Sequence, residues 1–238
     1  MVTGSSGAGK ATTQAAMLDY LSENARRYVI TIEDPIEFIH PNKKCVIVQH
    51  DLGDDTKSFD TALVHALRHN PDVIVLGEMH DLSTISTGLR AAETGHLVIG
   101  TLHTTDAVRT INRVIDMFPA SQQHQIRQQL AETTEAVLSQ TLLNRTSTGR
   151  IGVFEILLAN DAVRNVIRED KNRELYSQMQ LGTQRGVRTL EDSLAESVGK
   201  YVNTLEEALP RCVHPEQLRN MFETPSGKER VLIGARKY

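Results

Sequence analysis

Tryptophan is absent from the 238 residues, and aromatic side chains make up only 4% of them. The interior must therefore be aliphatic, and broad stacking of nucleic-acid bases on aromatic rings has few residues to use. Cysteine is almost missing as well: Cys45 and Cys212 are far apart and neither belongs to a CxxC pair. That spacing offers no zinc site, and two reduced thiols are expected. No apolar run reaches the roughly 18 residues that a bilayer span requires. Met1-Val2-Thr3 runs straight into glycines and polar residues, with none of the pattern of a secretory signal. A cytoplasmic location without direct membrane insertion is the expectation. Positive charge is not in excess: 26 Lys and Arg face 30 Asp and Glu, a formal net charge of -4. Blanket attraction to DNA or to an acidic membrane is disfavoured, and no nucleic-acid partner is expected.

The remaining composition is that of a folded protein, with 39% apolar and 24% charged residues. The length fits one large or two small domains. Hydrophobic periodicity predicts alternating elements. Helices are expected at Thr12 to Leu21, Ser58 to His69, Leu82 to Glu93, Ala107 to Met117 and Ser121 to Leu142. Strands are expected at Tyr28 to Ile32, Cys45 to Gln49, Val73 to Leu76, Leu97 to Thr101 and Ile151 to Leu158. Val73-Ile74-Val75-Leu76 is apolar without alternation, as in a strand buried on both faces of a parallel sheet. The pattern implies an α/β protein with right-handed crossovers. After Asn160 it changes to short helical pieces at Asp161 to Arg168, Arg173 to Gln180, Leu190 to Val198 and Leu205 to Leu209. These read as a small all-helical subdomain, with a loose tail from Thr224.

Gly4-Ser5-Ser6-Gly7-Ala8-Gly9-Lys10 matches the P-loop pattern G-x-x-x-x-G-K. Its glycines let backbone N–H groups turn inward around phosphate oxygens, Lys10 reaches the β- and γ-phosphates, and the following helix presents its positive end. The next position normally carries a Ser or Thr hydroxyl for Mg²⁺. Here it is Ala11, and Thr12 is rotated by about 100° around the helix. ATP binding is therefore expected to survive better than Mg²⁺-dependent hydrolysis. Glu78 ends the apolar strand Val73 to Leu76 in the Walker B arrangement, placed to hold Mg²⁺ directly or through water. Glu33 and Asp34 stand at another strand end before Pro35, where a carboxylate can orient an attacking water or, equally, decorate a polar turn. His96 and His103 bracket the strand Leu97 to Thr101. His103 could sense a γ-phosphate or serve as a structural histidine.

Taken together, GSSGAGKAT, TIEDPIEF, VIVLGEMHD and AAETGHLVIGTLHTTDA resemble the type II/type IV secretion ATPases, and most of all the pilus-retraction branch of that family. The resemblance runs from about Gly4 to about Phe222 and includes Ala162-Val163-Arg164-Asn165-Val166-Ile167-Arg168-Glu169, similar to a helix of the retraction branch. It implies a RecA-like P-loop ATPase core over residues 1–159 and a helical C-terminal subdomain over 160–223, working in a hexameric ring against a pilus inner-membrane platform protein. It makes Gly4, Ser5, Ser6, Gly7, Ala8, Gly9, Lys10, Ala11 and Thr12 the nucleotide loop. It makes Glu33 the catalytic glutamate with Asp34 beside it, Glu78 the Walker B glutamate, and His96 and His103 the His-box pair. Arg68 matches an arginine of the family's LRxxPD segment.

The chain departs from the family at the active site. Besides Ala11, the family's GEMRDxET reads Gly77-Glu78-Met79-His80-Asp81-Leu82-Ser83-Thr84, so that His80 replaces an arginine and Ser83 a glutamate. His50 replaces another arginine, and Val64 stands where arginine is usual. An imidazole does not reproduce a guanidinium's permanent charge and fork. Family members also carry a PAS-like domain before the P-loop. With only three residues ahead of Gly4, that domain and the first core strand are expected to be absent, leaving a hole at the centre of the sheet. Two functions follow from these residues: an ATP-hydrolysing motor domain, or a degenerate subunit that binds nucleotide or only packs into a ring.

Overall fold

Five parallel segments and one antiparallel pair assemble around the buried run Val73–Leu76. The computed structural model describes residues 1–182 and 186–223; the expected tail from Thr224 lies outside them. The amino-terminal part runs β1 (Val2–Thr3), α1 (Lys10–Asn24), β2 (Tyr28–Glu33), β3 (Val46–Asp51), α2 (Phe59–Leu67) and β4 (Val73–Leu76). It continues with α3 (Leu82–Glu93), β5 (Leu97–Leu102), α4 (Ala107–Asp116), α5 (Ala120–Thr133), β6 (Ala136–Asn144) and β7 (Arg150–Leu158). Short helices follow: α6 (Asp161–Arg168), α7 (Leu175–Leu181), α8 (Leu190–Gly199), α9 (Leu205–Ala208) and α10 (Pro215–Glu223).

The seven strands lie in the order β3-β2-β4-β5-β1-β6-β7. All neighbours are parallel except β6 and β7, which pair antiparallel from Ala136↔Leu158 to Asn144↔Arg150. The short connection between those two strands leaves no room for a crossover, so the chain must reverse. Alternate residues of the central strands feed opposite faces. Ile30, Ile32, Ile74 and Leu76 enter the main core with Leu63, Ile111 and Leu130 from the helices, while Val29, Val73 and Val75 pack with Leu18 of α1 on the other side. Each large aliphatic side chain buried this way contributes about 1.5–3 kcal/mol. Helices α6 and α7 add Val163, Ile167, Leu175 and Met179 to the main core. Helices α8, α9 and α10 build a separate small cluster with Leu143 and Val153 of the β6–β7 pair.

The register brings the strand ends together. Ile32 sits opposite Leu76, Leu76 opposite Gly100, and Thr3 opposite both Leu102 and Ser139. The C-terminal ends of β2, β4, β5 and β1 therefore share one edge, the usual ligand-binding edge of an open parallel sheet.

Two expectations are corrected here. The centre of the sheet is not an open hole where the first core strand would lie: Val2 and Thr3, both buried, form a two-residue strand between β5 and β6. Even two residues suffice to set the P-loop's starting point, because Thr3 Oγ1 also donates to Ser139 Oγ at 2.8 Å. The helix expected across Ser121 to Leu142 ends at Thr133, and Ala136 onward is β6. Ser139, Gln140 and Thr141 broke the apolar alternation of that strand, while the good helix formers before them suggested continuity.

Candidate functional site

The loop from Gly4 to Gly9 leaves β1 and opens into α1. Gly4, Gly7 and Gly9 all have positive φ, and Gly9, at φ 87°, is the residue that enters the helix. A side chain at Gly4 would run into the carbonyl oxygen of Gln140, so this position needs glycine for space as well as for backbone. No side chain caps the first turn of α1. The N–H groups of that first turn are left without a side-chain partner, whereas within the loop the Gly4 N–H donates to the Leu102 carbonyl at 3.3 Å and the Ala8 N–H to the Ser5 carbonyl at 3.1 Å.

Lys10 folds back over this loop, donating from Nζ to the Gly4 carbonyl at 3.0 Å and to the Ser5 carbonyl at 3.2 Å. Its Nζ also lies 3.4 Å from Nδ1 of His103, and the other ring nitrogen, Nε2, lies 2.8 Å from Glu78 Oε1. Burial pushes the Lys10 ammonium below its ordinary pKa, and the nearby carboxylates Glu78 and Glu37 oppose that. Lys10, His103 and Glu78 thus form one polar chain joining the start of α1 to the ends of β5 and β4. His103 and Glu78 are each about half exposed (51% and 41%), so the pair contributes little to stability and remains free to rearrange.

Glu33 closes the row at the tip of β2. Its Oε1 accepts from Thr31 Oγ1 at 2.6 Å and from the Gln49 amide at 3.0 Å. Gly77 makes the close approach possible: a Cβ there would lie 3.2 Å from the Glu33 Cα. The Thr101 hydroxyl donates to the Gly77 carbonyl, and the Met79 N–H donates to the Thr101 carbonyl at 3.0 Å, which fixes the turn carrying Glu78. Asp34 follows in the same turn, joined to Pro35 by a cis peptide bond.

Of the residues singled out in the sequence, the loop Gly4 to Lys10, Glu33, Asp34, Glu78 and His103 gather at this edge. Ala11 is half-buried on α1 with only a methyl group, and Thr12 is exposed. His96 and Arg68 are elsewhere. His96 precedes β5, with Nδ1 2.9 Å from the Ala91 carbonyl and 3.1 Å from Thr94 Oγ1. It lines a cavity of about 780 Å³ with Met1, Val98 and Thr134, which extends along β5 to Gly100 and Met79. Arg68 is exposed just past α2, likewise before β4 begins. Of the departures, His80 is exposed, with its ring edge-on to Phe59 at 6.2 Å, and His50 pairs opposite Ile32.

Several residues at the site escaped the sequence reading. Gln14 reaches from α1 to the Leu76 carbonyl at 3.2 Å, tying the helix to β4. Gln140 is held between Thr13 and Ala8 beneath the loop. Both are buried glutamines, and a polar stretch, Ser139-Gln140-Thr141, set between the apolar pairs Val137-Leu138 and Leu142-Leu143 is the signal that could have exposed Gln140.

A parallel α/β sheet, a glycine-rich strand-to-helix loop with its lysine, and acids at the tips of adjacent strands define the P-loop class of fold. Residues 1–147 match the model of the family described as Type II/IV secretion system protein, and the chain belongs to that family. It is 48% identical over 216 residues to the type IV pilus retractation ATPase PilT of Pseudomonas aeruginosa, an alignment spanning 91% of this chain and 63% of that protein. It is 47% identical over 219 residues to a twitching motility protein of Neisseria gonorrhoeae, spanning 92% and 59%. Its fold matches a crystal structure of the pilus retraction motor PilT with bound ADP, with a TM-score of 0.86 and 46% identity over 92% of this chain and 62% of the other. The chain spans about three fifths of the length of these relatives. Among the described residues no helix is long and apolar enough to cross a membrane.

Proposed function

We propose that this chain binds ATP at the Gly4–Lys10 loop and hydrolyses it as the motor domain of a type IV pilus retraction (twitching motility) or type II secretion ATPase. The observation that carries the proposal is the continuous contact from Lys10 through His103 to Glu78 beside a loop in which Gly4, Gly7 and Gly9 all take positive φ. Lys10 and the loop N–H groups hold the β- and γ-phosphates, where their charge is most useful as negative charge moves toward the leaving oxygen. Glu33 is the general base. Thr31 and Gln49 fix its carboxylate through one oxygen, which orients the carboxylate to take a proton from the attacking water. His103, already in contact with both Lys10 and Glu78, reports whether a γ-phosphate is present.

Mg²⁺ fits this reading only with the nucleotide's help. Among the described residues no group of three His, Cys, Asp or Glu side chains converges as a metal cage. Mg²⁺ is commonly held by one or two carboxylates, phosphate oxygens and waters, and Glu78 supplies such a carboxylate, whereas Ala11 supplies no oxygen. The bound ion would neutralise phosphate charge. The same resemblance supports a homo-hexameric ring acting on an inner-membrane platform protein from the cytoplasmic side, with residues 1–159 as the nucleotide core and 160–223 packed on it. His96 and Arg68, remote from the loop within one chain, are assigned accessory roles.

A second reading has its own support. Ala11 removes the hydroxyl of the loop, and His80 and His50 replace arginines of the resembled family. A degenerate subunit that holds nucleotide or assembles into a ring without turnover carries these changes at no cost. Isothermal titration with ATP and a phosphate-release assay on the same sample decide between them. Binding with release supports the motor, binding without release supports the degenerate subunit, and neither refutes the nucleotide site.

A further inference from the structure

Gln140 lies in the middle of β6, is 5% exposed, and uses both ends of its amide under the P-loop. Its Oε1 accepts from the Thr13 hydroxyl of α1 at 2.6 Å, and its Nε2 donates to the Ala8 carbonyl at 2.5 Å. These partners fix which way the amide points. A carbonyl oxygen only accepts, so the end facing Ala8 must be the NH₂, and the threonine hydroxyl then serves the oxygen. The fit is close on the Gly9 side too: a Cβ at Gly9 would lie 3.2 Å from Nε2.

A trans peptide unit is planar, and its C=O and N–H point in opposite directions. Anchoring the Ala8 carbonyl on Gln140 therefore turns the N–H of the same unit, that of Gly9, away from β6. We infer that Gln140 is a positioning residue that aims the Gly9 N–H into the phosphate cradle, with Thr13 holding the amide in the donating orientation. The inference rests on the nucleotide reading for its ligand, a nucleoside di- or triphosphate, but not for the geometry of the anchor. N–H donors bind a phosphate with the least reorganisation when their direction is fixed before it arrives, and a buried anchor fixes that direction where a solvated loop does not. Gly9, at φ 87°, has no side chain of its own with which to set that direction.

The test uses Gln140→Ala and Gln140→Glu in the full chain. Two things are measured: affinity for a fluorescent ADP analogue, and the amide resonance and hydrogen exchange of Gly9 after ¹⁵N-glycine labelling. At neutral pH both variants should bind ADP at least tenfold more weakly than wild type, and in the free protein the Gly9 amide should shift and exchange faster. Gln140→Glu adds a readout that a merely structural role does not move. A protonated carboxyl can donate to the Ala8 carbonyl and accept from Thr13, whereas a carboxylate can only accept. The affinity gap between Gln140→Glu and wild type should therefore narrow as pH falls from 8 to 5.5, while that of Gln140→Ala stays constant. Thr13→Val should weaken binding in the same direction by a smaller factor. A Gly9 resonance that neither Gln140 variant moves, or a gap that does not depend on pH, overturns the inference. Wild-type protein that binds no ADP while Gly9 still responds to Gln140 refutes the nucleotide reading and supports the anchor.

Discussion

Nζ of Lys10 and Nδ1 of His103 lie 3.4 Å apart, and an ammonium can only donate. His103 therefore accepts at Nδ1, which places its hydrogen on Nε2, facing Glu78 Oε1 at 2.8 Å. One neutral tautomer satisfies both neighbours. A polyphosphate competes for the same lysine, so occupancy of the loop and the state of the histidine are linked. The expected outcome by ¹⁵N NMR of the ring is an Nε2–H tautomer in the free protein, with the Nδ1 signal moving when ADP is added. A free-state ring protonated at Nδ1 instead, or a ring that ignores ADP, contradicts the arrangement.

Ala11 gives a second prediction. Ala11→Ser restores the hydroxyl at the position where P-loop proteins ligate Mg²⁺, and should raise Mg²⁺-dependent phosphate release. The gain should be roughly ten- to a hundredfold, since each 1.36 kcal/mol is a factor of ten. Affinity for nucleotide without the ion should change little, because backbone N–H groups and Lys10 hold the phosphates. Binding without measurable turnover in Ala11→Ser would locate the defect elsewhere, with His80 and His50 the next substitutions to revert.

The third prediction concerns pH. Glu155 of β7 is 3% exposed and accepts the Ala107 N–H of α4 at 2.7 Å. Burial, with Asp106 and Glu191 close by, pushes its carboxyl up to about 7 from 4.5, although the Ala107 and Leu190 N–H groups pull the other way. An acid whose pKa is raised by folding binds its proton more tightly in the native state. Its contribution to stability is fully present below about pH 4.5 and is lost as pH rises through about 7. Over that range the loss is ~3 kcal/mol at most. Urea midpoints of wild type should fall from pH 5 to pH 8, and Glu155→Gln should flatten that trend. Parallel curves for the two proteins would show that another group governs it.

The strands that carry the chemistry were legible because their signals are local. Val73 to Leu76 is apolar on both faces, and Glu78 and His103 follow strand ends directly, so spacing alone placed them near the loop. What was hidden depends on long-range partners. Ser139-Gln140-Thr141 reads as polar surface until Thr3, Ala8 and Thr13 arrive from the other end of the chain to satisfy it. β1 was invisible for a different reason: two residues have no periodicity, and Val2-Thr3 is a strand only because β5 and β6 lie on either side. His96 and His103 bracket one strand in the sequence, and they occupy opposite ends of β5, whose six residues at about 3.3 Å each put roughly 20 Å between them. A fully apolar strand does not reveal which of its ends meets a ligand; the parallel register does.

The account rests on phosphate binding at the loop, and the most direct measurement is a titration of a fluorescent ADP analogue into wild type and Lys10→Ala, with thermal unfolding of both. Removing a charged partner from a polar site commonly costs 2–5 kcal/mol, so the variant should bind about a hundredfold more weakly or worse. Its unfolding midpoint should stay close to that of wild type, since Lys10 is only half-buried and contacts mainly loop carbonyls. Equal affinity of the two proteins would contradict the account and place the nucleotide, if there is one, away from Gly4–Lys10.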